Sequence, residues 1–150
     1  MRIRESRRRP VVNTSTAETV GHVDGFLIEA EAARITGLRV DIDGSMSILP
    51  WDRLAAFGPD AVTVADAEVF RAPADPSEQR RSDPALDPIG KLAVEETGNG
   101  LGTVADVDFD PTSGALRAIL TDIYELPADK LMGLGGYAMV FGDIKGLTPA

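Results

Sequence analysis

Asp106, Asp108 and Asp110 alternate along one stretch of the chain, and three carboxylates at that spacing imitate the opening of a calcium-binding loop. The imitation ends there: Pro111 stands where such a loop needs glycine, and Arg117 where it needs a bidentate glutamate. The three aspartates read instead as the solvated face of a strand that ends in a turn cap. His22 is the single histidine, so one chain offers no histidine pair for a metal and no Ser-His-Asp set with a second candidate base. Gly98-Asn99-Gly100-Leu101-Gly102 is glycine-rich but runs into a strand, where no helix N-terminus waits for a phosphate. With no cysteine, disulfides, thiolate metal sites and cysteine nucleophiles are excluded. No catalytic residue, metal ligand or cofactor site is expected, and no acid, base and nucleophile converge in motif form.

The residues suited to docking are of another kind. Trp51 with Phe57, and Met132 with Tyr137 and Met139, put large apolar area beside short turns, where such side chains serve as core filler or as interface anchors. Five arginines against one glutamate in residues 1–9 give that segment +4, which leaves −13 on the rest of a chain whose net charge is −9. An acidic body repels phosphate backbones and anionic headgroups, so nucleic acid is expected only through Arg7, Arg8 and Arg9 and their neighbours. The segment itself reads as a solvated, flexible tail.

The elements that must position these residues occur twice. Leu49-Pro50-Trp51-Asp52-Arg53-Leu54, closed by Gly58, returns as Leu126-Pro127-Ala128-Asp129-Lys130-Leu131, closed by Gly135. Upstream of each stands a Gly-x-Val strand start, at Gly21 and at Gly102. The glycines are 81 residues apart and the prolines 77, so the first copy carries four extra residues between its landmarks. Asp43-Gly44 accounts for them as the two central residues of a tight hairpin turn. The paired strands of copy one run over 20–28 and 34–42. In copy two, Thr103, Ala105, Val107 and Phe109 share one strand face, Asp110-Pro111-Thr112-Ser113-Gly114 turns the chain, and 115–120 return. The prolines of both Leu-Pro units suit the start of a short helical turn, and closing strands follow at 61–64 and 137–141.

Length allows one domain or two very small ones, and units of this size are marginal alone. The expected organisation is a basic tail over 1–9, one β unit over 10–71, a Pro-rich linker over 72–87, a second β unit over 88–145, and a C-terminal tail over 146–150. The units should pack on each other or in a homodimer. Neither a signal-peptide core nor an unbroken apolar run long enough to span a membrane is present, so a cytoplasmic protein is expected.

Pro88-Ile89-Gly90-Lys91, the run from Gly102 to Gly114, Leu126-Pro127 and Ala138-Met139-Val140-Phe141 together resemble the PRC-barrel family. Copy one resembles it less closely, because its turn, Glu29-Ala30-Glu31-Ala32-Ala33, has neither proline nor glycine. The resemblance implies an all-β fold of two tandem small barrels with short helical turns. It also implies a role in docking or assembly, as in the cytoplasmic part of a reaction-centre H subunit or the C-terminal domain of a ribosome maturation factor. The leading expectation is a non-catalytic adaptor that binds another protein, with Trp51, Phe57, Arg7, Arg8, Arg9, Met132 and Tyr137 as contact residues. A ribosome or RNA accessory factor comes second and a small-ligand sensor third.

If the carboxylates of Asp106, Asp108 and Asp110 are only solvated, calcium will not shift thermal melting of the chain. A calcium-dependent shift that disappears when all three become asparagine would refute this reading.

Overall fold

The computed structural model describes residues 1–150 and is mainly β, with short helices and 3₁₀ turns between the strands. The first sheet holds β1 (Pro10–Asn13), β2 (Glu18–Glu29), β3 (Arg34–Ile42), β4 (Ser45–Pro50), β5 (Ala56–Phe57) and β6 (Val62–Val64), in the order β4-β3-β2-β1-β6-β5. The second holds β7 (Leu92–Glu95), β8 (Gly100–Phe109), β9 (Leu116–Thr121), β10 (Tyr124–Pro127), β11 (Leu131–Leu134), β12 (Ala138–Phe141) and β13 (Thr148–Pro149), in the order β11-β12-β7-β8-β9-β10-β13. Pairing is antiparallel except for β1 with β6 and β7 with β12. Two short helices complete the chain, α1 (Ile3–Ser6) and α2 (Pro76–Arg81). No helix is long and apolar enough to cross a membrane.

Turn chemistry sets the hairpins where the sequence places them. Asp43 and Gly44 both take positive φ, 52° and 84°, as a two-residue turn of the primed type requires. The Leu-Pro units end their strands in single 3₁₀ turns, Trp51–Arg53 and Ala128–Lys130, with proline immediately before each.

Strand alternation fails on β8. Val104 is buried and Thr103 exposed, the reverse of the expected phase, because an extra residue between Val104 and Asp106 shifts the register against β9. A bulge of this kind moves every later side chain to the opposite face. Beyond it Val107 and Phe109 point inward as expected.

Both sheets contribute to one continuous core of 25 buried residues, among them Val23, Ile35, Leu38 and Leu49 from the first and Val107, Phe109, Ile119 and Phe141 from the second. At the join the two long hairpins meet tip to tip. Ile35 N–H donates to Gly114 O and Leu116 N–H donates to Ala33 O, each at 2.8 Å. Gly114 has φ +80°, and a Cβ there would lie 2.9 Å from Ile35 O, so conformation and space both demand glycine.

One expectation needs correction, and two segments carry more structure than their composition suggests. The first nine residues are not a free tail: Ile3 is 1% exposed, the Arg2 backbone forms an isolated antiparallel β-bridge with Asp108, and Phe109 N–H donates to Met1 O at 2.9 Å. One isoleucine among arginines supplies enough apolar surface to fix the segment against β8. The 72–87 stretch has no fully buried residue, yet it folds into α2 and a 3₁₀ turn at Pro84–Leu86, each started by an aspartate accepting a backbone N–H. Residues 146–150 include β13, which adds to the edge of β10.

The placement of Ile3 has a measurable consequence. Ile3→Ala should cost about 2–5 kcal/mol in denaturant unfolding, the range for emptying a buried aliphatic site. A change within about 0.5 kcal/mol, as expected of a surface position, would mean that the segment is not packed.

Candidate functional site

Trp51 and Phe57, expected as contact residues, are buried, and they form a cage with Phe26 around Phe109 of the other sheet. Trp51 and Phe57 stack at 5.6 Å and 19°, while Phe109 meets Phe57 edge-on at 5.4 Å and Phe26 tilted at 5.7 Å. Trp51 Nε1–H donates to Thr112 O at 3.4 Å, so its polar end also closes on the second sheet. Burying a ring of this size is worth about 1.5–3 kcal/mol, with a further ~0.5–1.5 kcal/mol from each favourable ring pair. These two residues are therefore core at the join between sheets. One face of the cage still opens to a hollow of about 390 Å³ lined by Trp51, Asp52, Leu54, Ala55, Ala56, Phe57, Pro111 and Thr112.

The three arginines are occupied. Arg7 pairs with Asp87, Arg8 with Asp41 at 3.3 Å, and Arg9 donates to Gly58 O at 2.9 Å while its guanidinium lies 5.6 Å over the Phe57 ring. Each contact holds residues 7–9 to the body.

Met132 and Tyr137 behave differently. They lie 49% and 79% exposed on the β11–β12 hairpin, where β11 is an edge strand with one free side. Met139 of the same hairpin is fully buried.

The three aspartates are spent separately. Asp106 Oδ1 accepts Arg4 N–H at 3.1 Å and Asp108 Oδ1 accepts the Met1 amine at 3.1 Å. Asp110 Oδ1 accepts Thr112 N–H at 2.8 Å, and that bond, ahead of the nearby Arg117, holds the Asp110 carboxyl below the usual aspartate range. His22 sits half-buried opposite Asp41 on the β2–β3 ladder, and Gly98 turns the chain from β7 into β8.

Sequence reasoning missed Arg39, the most consequential charged residue. It is 8% exposed, donates from Nε to Asp24 at 2.6 Å, and donates from Nη1 to Ser82 O at 2.7 Å. Its guanidinium fills the space over Gly25, where a Cβ would lie 2.2 Å from Nη2. The available signal was an arginine at mid-strand in a run of apolar residues, with Asp-Gly at 24–25 on the pairing strand. Arg39 thereby ties the 72–87 stretch to the first sheet. Arg71 does the same from the other side by pairing with Glu78 of α2.

The chain matches no protein-family model and no curated protein.

Glu78 is held below the usual carboxylate value, first by its hydrogen bond from Arg71, and Arg71 is correspondingly raised. A carboxyl lowered in the folded state contributes stability above its unfolded value of 4.5, and that contribution is lost as pH falls through the folded value. Glu78→Gln should therefore flatten the loss of stability as pH drops below about 5, with little change in slope between about pH 6 and 8. Urea midpoints measured across that range test this; identical acid limbs in wild type and variant would disprove the coupling.

Proposed function

We propose that the chain is a non-catalytic docking module of the PRC-barrel type, built from one duplicated β unit, and that its β11–β12 hairpin receives a protein partner. Support for duplication lies in matched irregularities. Both sheets contain the order β4-β3-β2-β1-β6-β5 or its counterpart β10-β9-β8-β7-β12-β11. The register shifts at Val23/Gly25 and Leu27/Ile28 on β2 recur 81 residues later at Val104/Asp106 and Asp108/Phe109 on β8. Bulges are designed features of a sheet, and two at the same offsets in both halves are a stronger mark of common origin than strand order alone.

The observation that carries the docking role is the hairpin itself. Residues 131–142 hold no charged side chain, although charged residues make up 26% of the chain. Met132 on the edge strand β11 and Tyr137 in the bend that follows it expose apolar area there. An uncharged, partly apolar edge is the kind of surface that pairs with another polypeptide. Arg7, Arg8 and Arg9 are engaged within the molecule, which favours a protein partner over a phosphate backbone.

Met132→Ser combined with Tyr137→Ser tests the role. The double variant should melt within a degree or two of wild type, because both side chains are exposed, yet lose at least about tenfold in capture of a partner enriched by the wild-type chain. Equal capture by both forms, or catalytic turnover of a substrate by the purified chain, would overturn the proposal.

A further inference from the structure

Four strands end the two sheets, and three of them are guarded. β4 is bridged at Ile48 by Arg71 and stops at Pro50, β5 has only two residues, and β13 has two, one of them Pro149. A bridging residue, proline and short length are ordinary defences of a sheet edge against another chain. β11 has four residues, no proline, no charge and no strand on its outer side. Residues 131–142 are also the longest stretch of the chain without a charged side chain.

The same hairpin holds three glycines that its own fold does not demand. Gly133, Gly135 and Gly136 have φ outside the left-handed region, and a Cβ built on any of them would meet no atom within 4 Å. Elsewhere only Gly100 shares both properties. Glycine in or beside a strand sacrifices stability, and where neither backbone conformation nor crowding within the chain requires it, close approach of another molecule does. Next to these glycines stands Tyr137, 79% exposed. One patch thus carries a projecting ring and bare backbone side by side.

We infer that the β11–β12 hairpin is a two-fold contact between copies of this chain, in which Tyr137 of each copy lies over the glycine backbone of the other. This names the partner of the docking surface proposed above and rests on that reading. A two-fold axis presents a patch to itself, so the patch must hold both the projection and the recess that receives it. An aromatic ring laid over an edge glycine fills such a recess. Charge selects a copy over a different protein. A chain of net charge −9 gains most from a different partner by showing carboxylates to a basic surface, and this hairpin shows none. Two copies repel each other, and a charged residue near the axis would meet its own sign, so copies can approach closely only where charge is absent.

Sedimentation equilibrium of the full chain, over about a hundredfold range of concentration, is the test. The mass should rise from one chain to two, and association should tighten at least threefold as salt goes from about 0.05 to 0.5 M, because salt screens the repulsion between acidic bodies. Gly136→Glu, Gly136→Lys and Tyr137→Ser should each weaken association at least tenfold while circular dichroism stays that of the wild type. An equal mixture of the Gly136→Glu and Gly136→Lys chains should dimerise again, since opposite charges then meet across the axis. A single-chain mass throughout, a dimer that loosens as salt rises, or a dimer that Gly136→Glu and Tyr137→Ser both leave unchanged would overturn the inference. If the chain stays single while the Met132→Ser, Tyr137→Ser double variant loses capture of a different protein, the docking surface stands and only the second copy is refuted. Wild type and double variant that agree in both mass and capture would refute both.

Discussion

Phe109 is the side chain on which the two sheets depend. It grows from β8, which belongs to the second sheet, yet its ring is surrounded by Phe26, Trp51 and Phe57 of the first. Each half is too small to bury its own apolar face, since a unit of 60–80 residues covers only about 60% of its unfolded surface. Inserting a ring into the opposite half solves this for both at once and accounts for the single core. The backbone fixes the approach: the reciprocal bonds between Ile35 and Gly114 and between Leu116 and Ala33 set the hairpin tips at one height. A slip of one residue would break both bonds and withdraw the ring.

Charged residues then hold what apolar residues have brought together. Residues 1–9 pack on β8 through Ile3, and the 72–87 stretch packs on the first sheet through Arg39 and Arg71. Each connecting segment lies across the strands of the half it does not lead into, so the halves are clasped in both directions. Arg39 is the costliest member. A guanidinium removed from water is stabilising only when it is fully paired, and this one has a carboxylate, a carbonyl and the bare face of Gly25. Such a group adds specificity more than affinity. It fits one register of β2 against β3 and one position of Ser82.

The hairpins, helical turns and closing strands were legible because they are written in glycine, proline and aspartate, whose effects are local. Asp43-Gly44, Asp110 to Gly114 and both Leu-Pro units fold where backbone chemistry alone would put them. The phase of β8 was not legible, since a bulge is decided by the partner strand, and alternation counted along one strand cannot reveal it. The packing of residues 1–9 was hidden by composition: five arginines outweighed one isoleucine in any average, while energetically the isoleucine decides. Of the candidate contact residues, type alone could not separate Trp51 and Phe57, which fill the join, from Met132 and Tyr137, which face water.

That separation bears on function. A fold that spends its tryptophan and three of its phenylalanines on holding two sheets together leaves Met132 and Tyr137 as exposed apolar area on an outer hairpin. The edges are unequal. Around Trp51 the equivalents of Met132 and Leu134 are Ala55 and Phe57, so one hollow has alanine at its rim over an aromatic floor while its twin is lined by methionine and by residues of α2. If the halves began as copies, the first kept large side chains inside and left its rim small, and the second moved bulk outward to the β11–β12 hairpin.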